Sequence, residues 1–302
     1  MFDTLNLLPS DPILGLLQAF RADPSSSKVD LGVGVYKDEQ GRTPVLESVH
    51  AAESALLQEQ ETKSYLGPGG NELFNAAIAA LVLGPEHAAL REGRVRTLQA
   101  PGGCGALRIG AELLAAANRN TKVHVSDPTW ANHVPLLGGA GLRLEAYPYY
   151  DGSTGAVRFD SMMERLSSLP AGEVVLVHAA CHNPTGADLS AEQWQALAVL
   201  FAQRGLIPFI DIAYQGFGDG IDQDAFGARI IAQSVPEALI AVSCSKNFGL
   251  YRERVGALIV IGERGERAEA AASHLRKIAR GLYSIYMETE ERRVGKECRS
   301  RW

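Results

Sequence analysis

The stretch from residue 173 to residue 212, EVVLVHAACHNPTGADLSAEQWQALAVLFAQRGLIPFIDI, decides the fold class. It begins with an apolar, β-branched run at 173–179, continues through a helical pattern at 191–203 and ends in a second apolar run at 206–212. Ser190, followed three residues later by Gln193, predicts a capping box at the start of that helix. Two apolar strands separated by a helix are typical of a parallel sheet with helical crossovers.

The same alternation extends in both directions from this stretch, starting at about residue 45. Further strands are predicted at 95–100, 122–126, 142–147, 239–243 and 255–261, and further helices at 50–60, 73–83, 106–118 and 268–279. We therefore predict an α/β fold in which helices flank a mostly parallel central sheet. The first 44 residues break the rhythm with Pro9, Pro12 and Pro24, which predicts an arm and part of a smaller second domain.

Composition excludes several classes of protein. The chain has 302 residues, of which 46% are apolar and 21% charged, which is typical of a soluble globular protein. The net charge of -6 argues against nucleic-acid or anionic-membrane partners. Four scattered cysteines without a C-x-x-C pair favour a reducing cytoplasm over a disulfide framework or a zinc site. No apolar stretch approaches the roughly 18 residues of a membrane span.

Polar residues follow several of the predicted strands, where open α/β sheets bind their ligands. Asp211 ends one strand, Lys246 follows the next, and Trp130 follows a third. Glycines at 102, 103 and 105 lead into a helix, whose free N–H groups favour a phosphate. These groups together suit pyridoxal phosphate. The amine can form an imine, the carboxylate can pair with a pyridine nitrogen, the aromatic ring can stack on the cofactor, and the glycines can hold its phosphate.

Six ordered motifs extend this inventory. They are LGVGVYKDE at 31–39, SYLG at 64–67, PGGCGALR at 101–108, CHNPTG at 181–186, DIAYQGF at 211–217 and SKNFGLYRERVG at 245–256. Through these motifs the chain resembles the class I aspartate and aromatic amino acid aminotransferases from the N-terminus to about residue 284. The resemblance implies a fold-type I pyridoxal-phosphate transferase with a partial small domain.

The resemblance also implies roles for residues that would surround the cofactor ring. Lys246 would form the Schiff base and then shuttle a proton, and Asp211 would pair with the pyridine nitrogen. Tyr214 and Asn183 would hydrogen-bond the phenolic oxygen and lower the pKa of the imine. Trp130 would stack on the ring and also contact substrate, as would Asn183. The supporting residues beside Asp211 would be His133 and His178.

Further residues would bind the phosphate and the substrate. The phosphate would be held by Gly102, Gly103, Cys104, Ser243 and, through a bidentate fork, Arg254. Tyr65 would reach the phosphate of a neighbouring subunit, which implies a homodimer with shared active sites. Gly34 would contact the substrate carboxylate through its backbone, and Arg280 would cross to the partner's site and bind a distal carboxylate.

Two departures from the family pattern stand out. Cys104 occupies a position where relatives often have a hydroxyl residue. After residue 284 the family pattern stops, and the segment 285–302, which ends in a basic stretch at 291–302, does not match it, so we expect that segment to be non-native. The family's second arginine, which binds the substrate α-carboxylate, lies in the part that is missing.

The sequence thus predicts an arm with part of a small domain at 1–44, a large cofactor-binding domain at 45–284 and an unmatched tail at 285–302. The predicted reaction is a ping-pong aminotransfer between an amino acid, aspartate, glutamate or aromatic, and a 2-oxo acid. A fragment that binds the cofactor with little or no turnover is the alternative. A lyase or decarboxylase on the same fold is a third interpretation, which the contexts of Arg280 and Asn183 disfavour.

Overall fold

The computed structural model describes residues 2–7, 12–30, 32 and 34–284. Its backbone divides into two compact units, Met1–Pro44 and Val45–Trp302. The first unit contains a short 3₁₀ turn at Phe2–Thr4 and helix α1 at Pro12–Ala22. The sequence patterns did not predict α1, although proline is well tolerated at the first position of a helix. The expectation for 285–302 lies outside the described residues.

The second unit alternates strands and helices along the chain. Its strands are β1 Val95–Pro101, β2 Lys122–Asp127, β3 Arg143–Pro148, β4 Tyr150–Asp151, β5 Ala156–Val157, β6 Val174–His178, β7 Ile207–Ile212, β8 Ala238–Ser243 and β9 Val255–Ile261. Its helices are α2 Glu47–Glu59, α3 Glu72–Leu83, α4 Ala88–Arg91, α5 Gly102–Ala117, α6 His133–Gly138, α7 Phe159–Ser167, α8 Ala191–Arg204, α9 Ile221–Asp224, α10 Phe226–Ser234 and α11 Gly265–Leu282.

Seven strands form the central sheet in the order β1-β9-β8-β7-β6-β2-β3, and β4 and β5 form a separate hairpin. The pairs β2–β3, β2–β6, β6–β7 and β7–β8 are parallel, whereas β9 runs antiparallel to both of its neighbours. The prediction of a mostly parallel α/β sheet is confirmed. The reversed direction of β9 is a feature that its apolar sequence alone does not reveal, because a buried strand has the same pattern in either direction.

Apolar side chains are buried on both faces of this sheet. Strand β6 shows the pattern most clearly, because Val175 and Val177 join one cluster while Val174 and Leu176 join the other. The first cluster also takes Trp194 from α8, and the second takes side chains from α5 and α11. Among the residues described, no helix has both the length and the apolar character needed to cross a membrane.

Helix α8 starts with the predicted capping box, in which Ser190 and Gln193 exchange side-chain-to-backbone hydrogen bonds. Helix α5 differs from its prediction, because it begins at Gly102 rather than near residue 106. The glycines therefore form its first turn instead of a preceding loop, and Gly102 adopts a φ of +71° to enter it. Helices α6, α7 and α10 were not predicted from the sequence, since each is nine residues or shorter.

Candidate active site

The polar residues singled out in the sequence meet at one edge of the sheet. The parallel register places His178 of β6 beside Asp211 of β7, and Asp211 beside Ala241 of β8. Ser243, the last residue of β8, pairs with Gly256 of antiparallel β9. Arg254 directly precedes β9, so the reversed direction of that strand brings it to the edge where the parallel strands end. The site is thus assembled on rigid strands and the turns that follow them.

Asp211 lies in a nearly closed environment, with 8% of its surface exposed. Its Oδ2 accepts a hydrogen bond from His133 Nε2 at 3.0 Å. Burial by itself raises the pKa of this carboxyl, but the hydrogen bond from His133, the electrostatic interactions with the His133 and His178 rings and the charge of Lys246 outweigh it and hold the pKa below its usual value. Asp211 is therefore a buried anion at neutral pH, which is the property needed to keep a bound pyridine nitrogen protonated.

A chain of hydrogen bonds orients the His133 ring. The backbone N–H of Asn183 donates to His178 Nδ1 at 3.2 Å, so His178 carries its proton on Nε2 and donates to Thr129 Oγ1 at 3.3 Å. Thr129 then donates to His133 Nδ1 at 2.8 Å, which leaves the proton of His133 on Nε2, facing Asp211. Burial, with the neighbouring His182 adding to it, lowers the pKa of His178 to about 3, so His178 is neutral at pH 7. Thr129 directly precedes Trp130 in the chain, but no sequence pattern gave it a role.

Lys246 lies just beyond β8, with its Nζ 4.5 Å from the centre of the Tyr214 ring. Burial lowers the pKa of its amine, although the Asp211 charge opposes that shift. A larger fraction of the amine is then uncharged and nucleophilic at a given pH. The Tyr214 hydroxyl accepts a long hydrogen bond, 3.4 Å, from Asn183 Nδ2, and burial raises the pKa of that hydroxyl. Trp130 packs edge-on against His133, with ring centres 5.3 Å apart.

Glycines and Arg254 form a cradle at the start of α5. A Cβ added at Gly102 would lie 2.4 Å from Arg254 Nη2, and one added at Gly103 would lie 3.1 Å from Ser243 Cβ. The Arg254 guanidinium is tied by Nη1 to Ser245 Oγ at 3.2 Å and to the Tyr251 carbonyl at 2.8 Å. A helix N-terminus, backbone without side chains and an arginine together suit a phosphate. The residues present therefore fit pyridoxal phosphate, the cofactor that the sequence predicts.

Cys104 lies in the first turn of α5, beside the glycines of the cradle in sequence. Its Sγ accepts a hydrogen bond from Asn132 Nδ2 at 3.7 Å, and the residue interacts electrostatically with the Lys246 amine. A thiol is a weaker hydrogen-bonding group than a hydroxyl, so the backbone amides of the first turn and Arg254 remain the stronger phosphate donors. Among the described residues, Cys104, Cys181 and Cys244 form no disulfide.

Asp188 holds the turn that carries Asn183. Its carboxylate accepts the backbone N–H of Cys181 at 2.6 Å and that of His182 at 2.8 Å. Cys181 has a φ of +52°, so this turn adopts a left-handed conformation that an ordinary side chain disfavours and that the two hydrogen bonds help to hold. Asp188 was not singled out in the sequence, where its position between Ala187 and Leu189 carries no distinguishing signal.

Two of the predicted site residues, Tyr65 and Arg280, are exposed on the second unit, and a third, Gly34, belongs to the first unit. Tyr65 is 73% exposed. Arg280 is an exposed residue near the end of α11 and donates to Ser284 Oγ at 2.5 Å. Gly34 belongs to the first unit, where a Cβ added to it would meet no atom within 4 Å. The other predicted site and supporting residues are joined by the contacts described above.

Comparison with known proteins identifies the family of the chain. A sequence model of the family "Aminotransferase class I and II" matches residues 26–290. The chain is 48% identical over 277 residues to an aromatic-amino-acid aminotransferase of Pseudomonas aeruginosa, covering 92% of this chain and 69% of that protein. It is 45% identical over 284 residues to the aspartate aminotransferase of Escherichia coli K12, covering 94% of this chain and 72% of that protein.

Solved structures show the same fold. An aromatic amino acid aminotransferase from Burkholderia cenocepacia J2315 superposes with a TM-score of 0.94 at 43% identity, covering 98% of this chain and 74% of that one. The aromatic-amino-acid aminotransferase of Burkholderia pseudomallei, solved covalently bound to pyridoxal phosphate, gives 0.93 at 43% identity, covering 97% and 73%. The chain therefore belongs to the class I and II aminotransferases, with the fold-type I architecture and pyridoxal phosphate as its cofactor.

Proposed function

We propose that this chain moves an amino group between a dicarboxylic or aromatic amino acid and a 2-oxo acid, with Lys246 as the catalytic amine. The observation that carries the proposal is the position of Lys246, whose pKa is lowered by burial, over the Tyr214 ring and within reach of the charges of Asp211 and Arg254. This arrangement supplies the nucleophile, the buried anion and the phosphate cradle that one cofactor requires.

Each residue has a distinct task in this proposal. The bound cofactor supplies an electron-withdrawing ring that stabilises negative charge at the substrate α-carbon. Asp211 keeps the pyridine nitrogen protonated, and Tyr214 and Asn183 donate hydrogen bonds to the phenolic oxygen. The Lys246 amine binds the cofactor and, once displaced by substrate, carries the proton removed from the α-carbon.

The remaining cofactor contacts are positional. Trp130 covers one face of the ring. His133 donates a hydrogen bond to the ionised Asp211, and His178 orients His133 through Thr129. The phosphate is bound by backbone and polar side-chain groups that lie close to it, from Gly102, Gly103, Cys104 and Ser243. Arg254 adds a planar pair of hydrogen-bond donors.

The choice of substrate follows the relatives, whose names include aspartate and aromatic amino acids. In this proposal Gly34 contacts the α-carboxylate through its backbone, and Arg280 binds the distal carboxylate of aspartate or glutamate. A guanidinium is suited to that task because it holds a carboxylate through two parallel hydrogen bonds.

A homodimer with shared sites is part of the same proposal. Tyr65 and Arg280 are exposed on this chain, where they are available to a second copy. Tyr65 would contact the phosphate bound by the partner, and Arg280 the partner's substrate. The three described cysteines form no disulfide, which suits a reducing compartment, and we place the enzyme in the cytoplasm.

The test uses the 302-residue chain loaded with pyridoxal phosphate. We expect an absorbance band from the Lys246-bound cofactor, its conversion on addition of aspartate or phenylalanine, and release of the matching 2-oxo acid. Lys246→Ala should abolish the band, whereas Lys277→Ala, on the exposed face of α11, should retain it.

Three results contradict all or part of the proposal. A band that survives Lys246→Ala refutes the assignment of the catalytic amine. A band that forms but responds to no amino acid supports the alternative of a cofactor-binding fragment without turnover. Release of carbon dioxide or ammonia in place of a 2-oxo acid supports a lyase or decarboxylase.

A further inference from the structure

Two of the proposed cofactor contacts are held by different kinds of backbone. Asp211 belongs to β7 and is fixed by its register with β6 and β8. Tyr214 lies two residues beyond the end of that strand, in a turn where the N–H of Phe217 donates to the Tyr214 carbonyl at 3.0 Å. The sheet therefore does not set the position of the Tyr214 hydroxyl, and the turn at 214–219 must do so.

Asp224 is the residue that holds this turn. Its Oδ2 accepts the backbone N–H of Gly216 at 2.7 Å and that of Gly218 at 3.0 Å, while Oδ1 accepts the N–H of Asp219 at 2.9 Å. The side chain is 6% exposed, so little water competes for these three donors. Three amides bonded to one buried carboxylate define the path of the turn, which a single hydrogen bond would not do.

The glycines of the turn leave space for this carboxylate. A Cβ added at Gly218 would lie 2.6 Å from Asp224 Oδ1, and Gly216 has a φ of +96°. Asp224 ends the four-residue helix α9, whose first turn is also joined to the loop, because Gln215 Nε2 donates to the Ile221 carbonyl at 3.0 Å. The turn and the short helix thus form one unit that carries Tyr214.

We propose that Asp224 is a positioning residue for the reaction: its carboxylate fixes the turn at 214–219 and thereby places the Tyr214 hydroxyl beside Asn183 and the cofactor's phenolic oxygen. The inference rests on the proposed function, in which Tyr214 donates to that oxygen. A donor placed there stabilises the deprotonated form of the bound cofactor, so the proton is lost at a lower pH. When the turn loosens, that proton is lost at a higher pH.

The test compares Asp224→Asn with Asp222→Asn. Asp222 lies on the same short helix, but its side chain is 80% exposed and pairs with Arg229 at the surface. In Asp224→Asn an amide nitrogen replaces one acceptor oxygen of the carboxylate, so at least one N–H of the turn loses its partner. We expect faster hydrogen exchange at residues 214–219 of the cofactor-free protein for Asp224→Asn and an unchanged rate for Asp222→Asn.

The second readout is the pH midpoint of the absorbance band of the bound cofactor. Asp224→Asn should raise it by roughly 0.5 to 1 unit, the size expected for one weakened hydrogen bond. In a Tyr214→Phe background the same substitution should produce no further shift, because the hydroxyl through which it acts is gone. A purely structural role would give the same shift in both backgrounds.

The outcomes separate this inference from the proposed function. An unchanged midpoint for Asp224→Asn, or a shift that persists with Tyr214→Phe, overturns the inference and leaves the proposed function intact. If the wild-type chain forms no cofactor band, the proposed function fails. In that case an unchanged rate of hydrogen exchange at residues 214–219 in Asp224→Asn overturns the role of Asp224 in the turn as well. Should Asp224→Asn not fold, Gly218→Ala displaces the same carboxylate and is expected to raise the midpoint in the same direction.

Discussion

The substitution Gly102→Ala tests the phosphate cradle most directly, because two separable costs can be worked from the structure. The first is conformational, since Gly102 has a φ of +71°, where an alanine costs roughly 1–2 kcal/mol. The second is steric, since the new Cβ would lie 2.4 Å from Arg254 Nη2 and 2.9 Å from Arg254 Cζ. The guanidinium must move, yet Ser245 and Tyr251 restrain it.

The displaced guanidinium should weaken cofactor binding. A hydrogen bond to a charged group contributes about 1.5–3 kcal/mol, which corresponds to a roughly 10- to 150-fold rise in the Kd for pyridoxal phosphate. Equilibrium titration of the cofactor-free protein, followed by absorbance, measures that Kd. Urea unfolding of the same protein measures the conformational cost separately.

Gly141→Ala is the matched control. Gly141 also has a positive φ, +86°, but a Cβ there meets no atom within 4 Å. Both variants should lose about 1–2 kcal/mol of unfolding free energy from the left-handed backbone, and Gly102→Ala alone should lose cofactor affinity. A Kd for Gly102→Ala that stays close to the wild-type value would refute the assignment of Gly102 and Arg254 to the cradle.

Three further outcomes are expected. Arg254→Lys should raise the Kd for pyridoxal phosphate about tenfold, because an ammonium cannot bond a phosphate bidentately. Arg252→Lys, at a position whose side chain is 93% exposed, should leave the Kd unchanged. Equal effects of the two substitutions would argue against bidentate phosphate binding by Arg254. As the pH is raised, the rate at which pyridoxal phosphate attaches to Lys246 should reach half its maximum below the ordinary lysine pKa of 10.5, since burial lowers the pKa of this amine. A midpoint at or above pH 10.5 contradicts the burial of Lys246. The pKa of Asp211 is lowered on folding, so its contribution to stability is present above the ordinary value of 3.8 and is lost as the pH falls through the folded value. The difference in unfolding free energy between wild type and Asp211→Asn should therefore shrink only at such low pH. A decrease of that difference near neutral pH would disprove the lowered pKa.

Much of the secondary structure was predictable because its signals are local. The run VVLV at 174–177 is apolar at every position, and the structure buries it on both faces of the sheet. The capping box of Ser190 and Gln193 depends on four consecutive residues and was confirmed. Short helices such as α6 and α10 were missed, because nine residues or fewer hold too few repeats to establish a helical period.

The sequence by itself determined the fold class and the cofactor, because strand and helix periodicity, the lysine and the glycine motif are each encoded within a few consecutive positions. For the residues of the site it supplied predictions. Only the tertiary structure decided how those residues act together. The antiparallel direction of β9 brings Arg254 to Gly102, and Thr129 joins two histidines from different elements into one chain of hydrogen bonds to Asp211. These contacts join residues far apart in the chain, and their geometry depends on sheet order and burial, which no local pattern specifies.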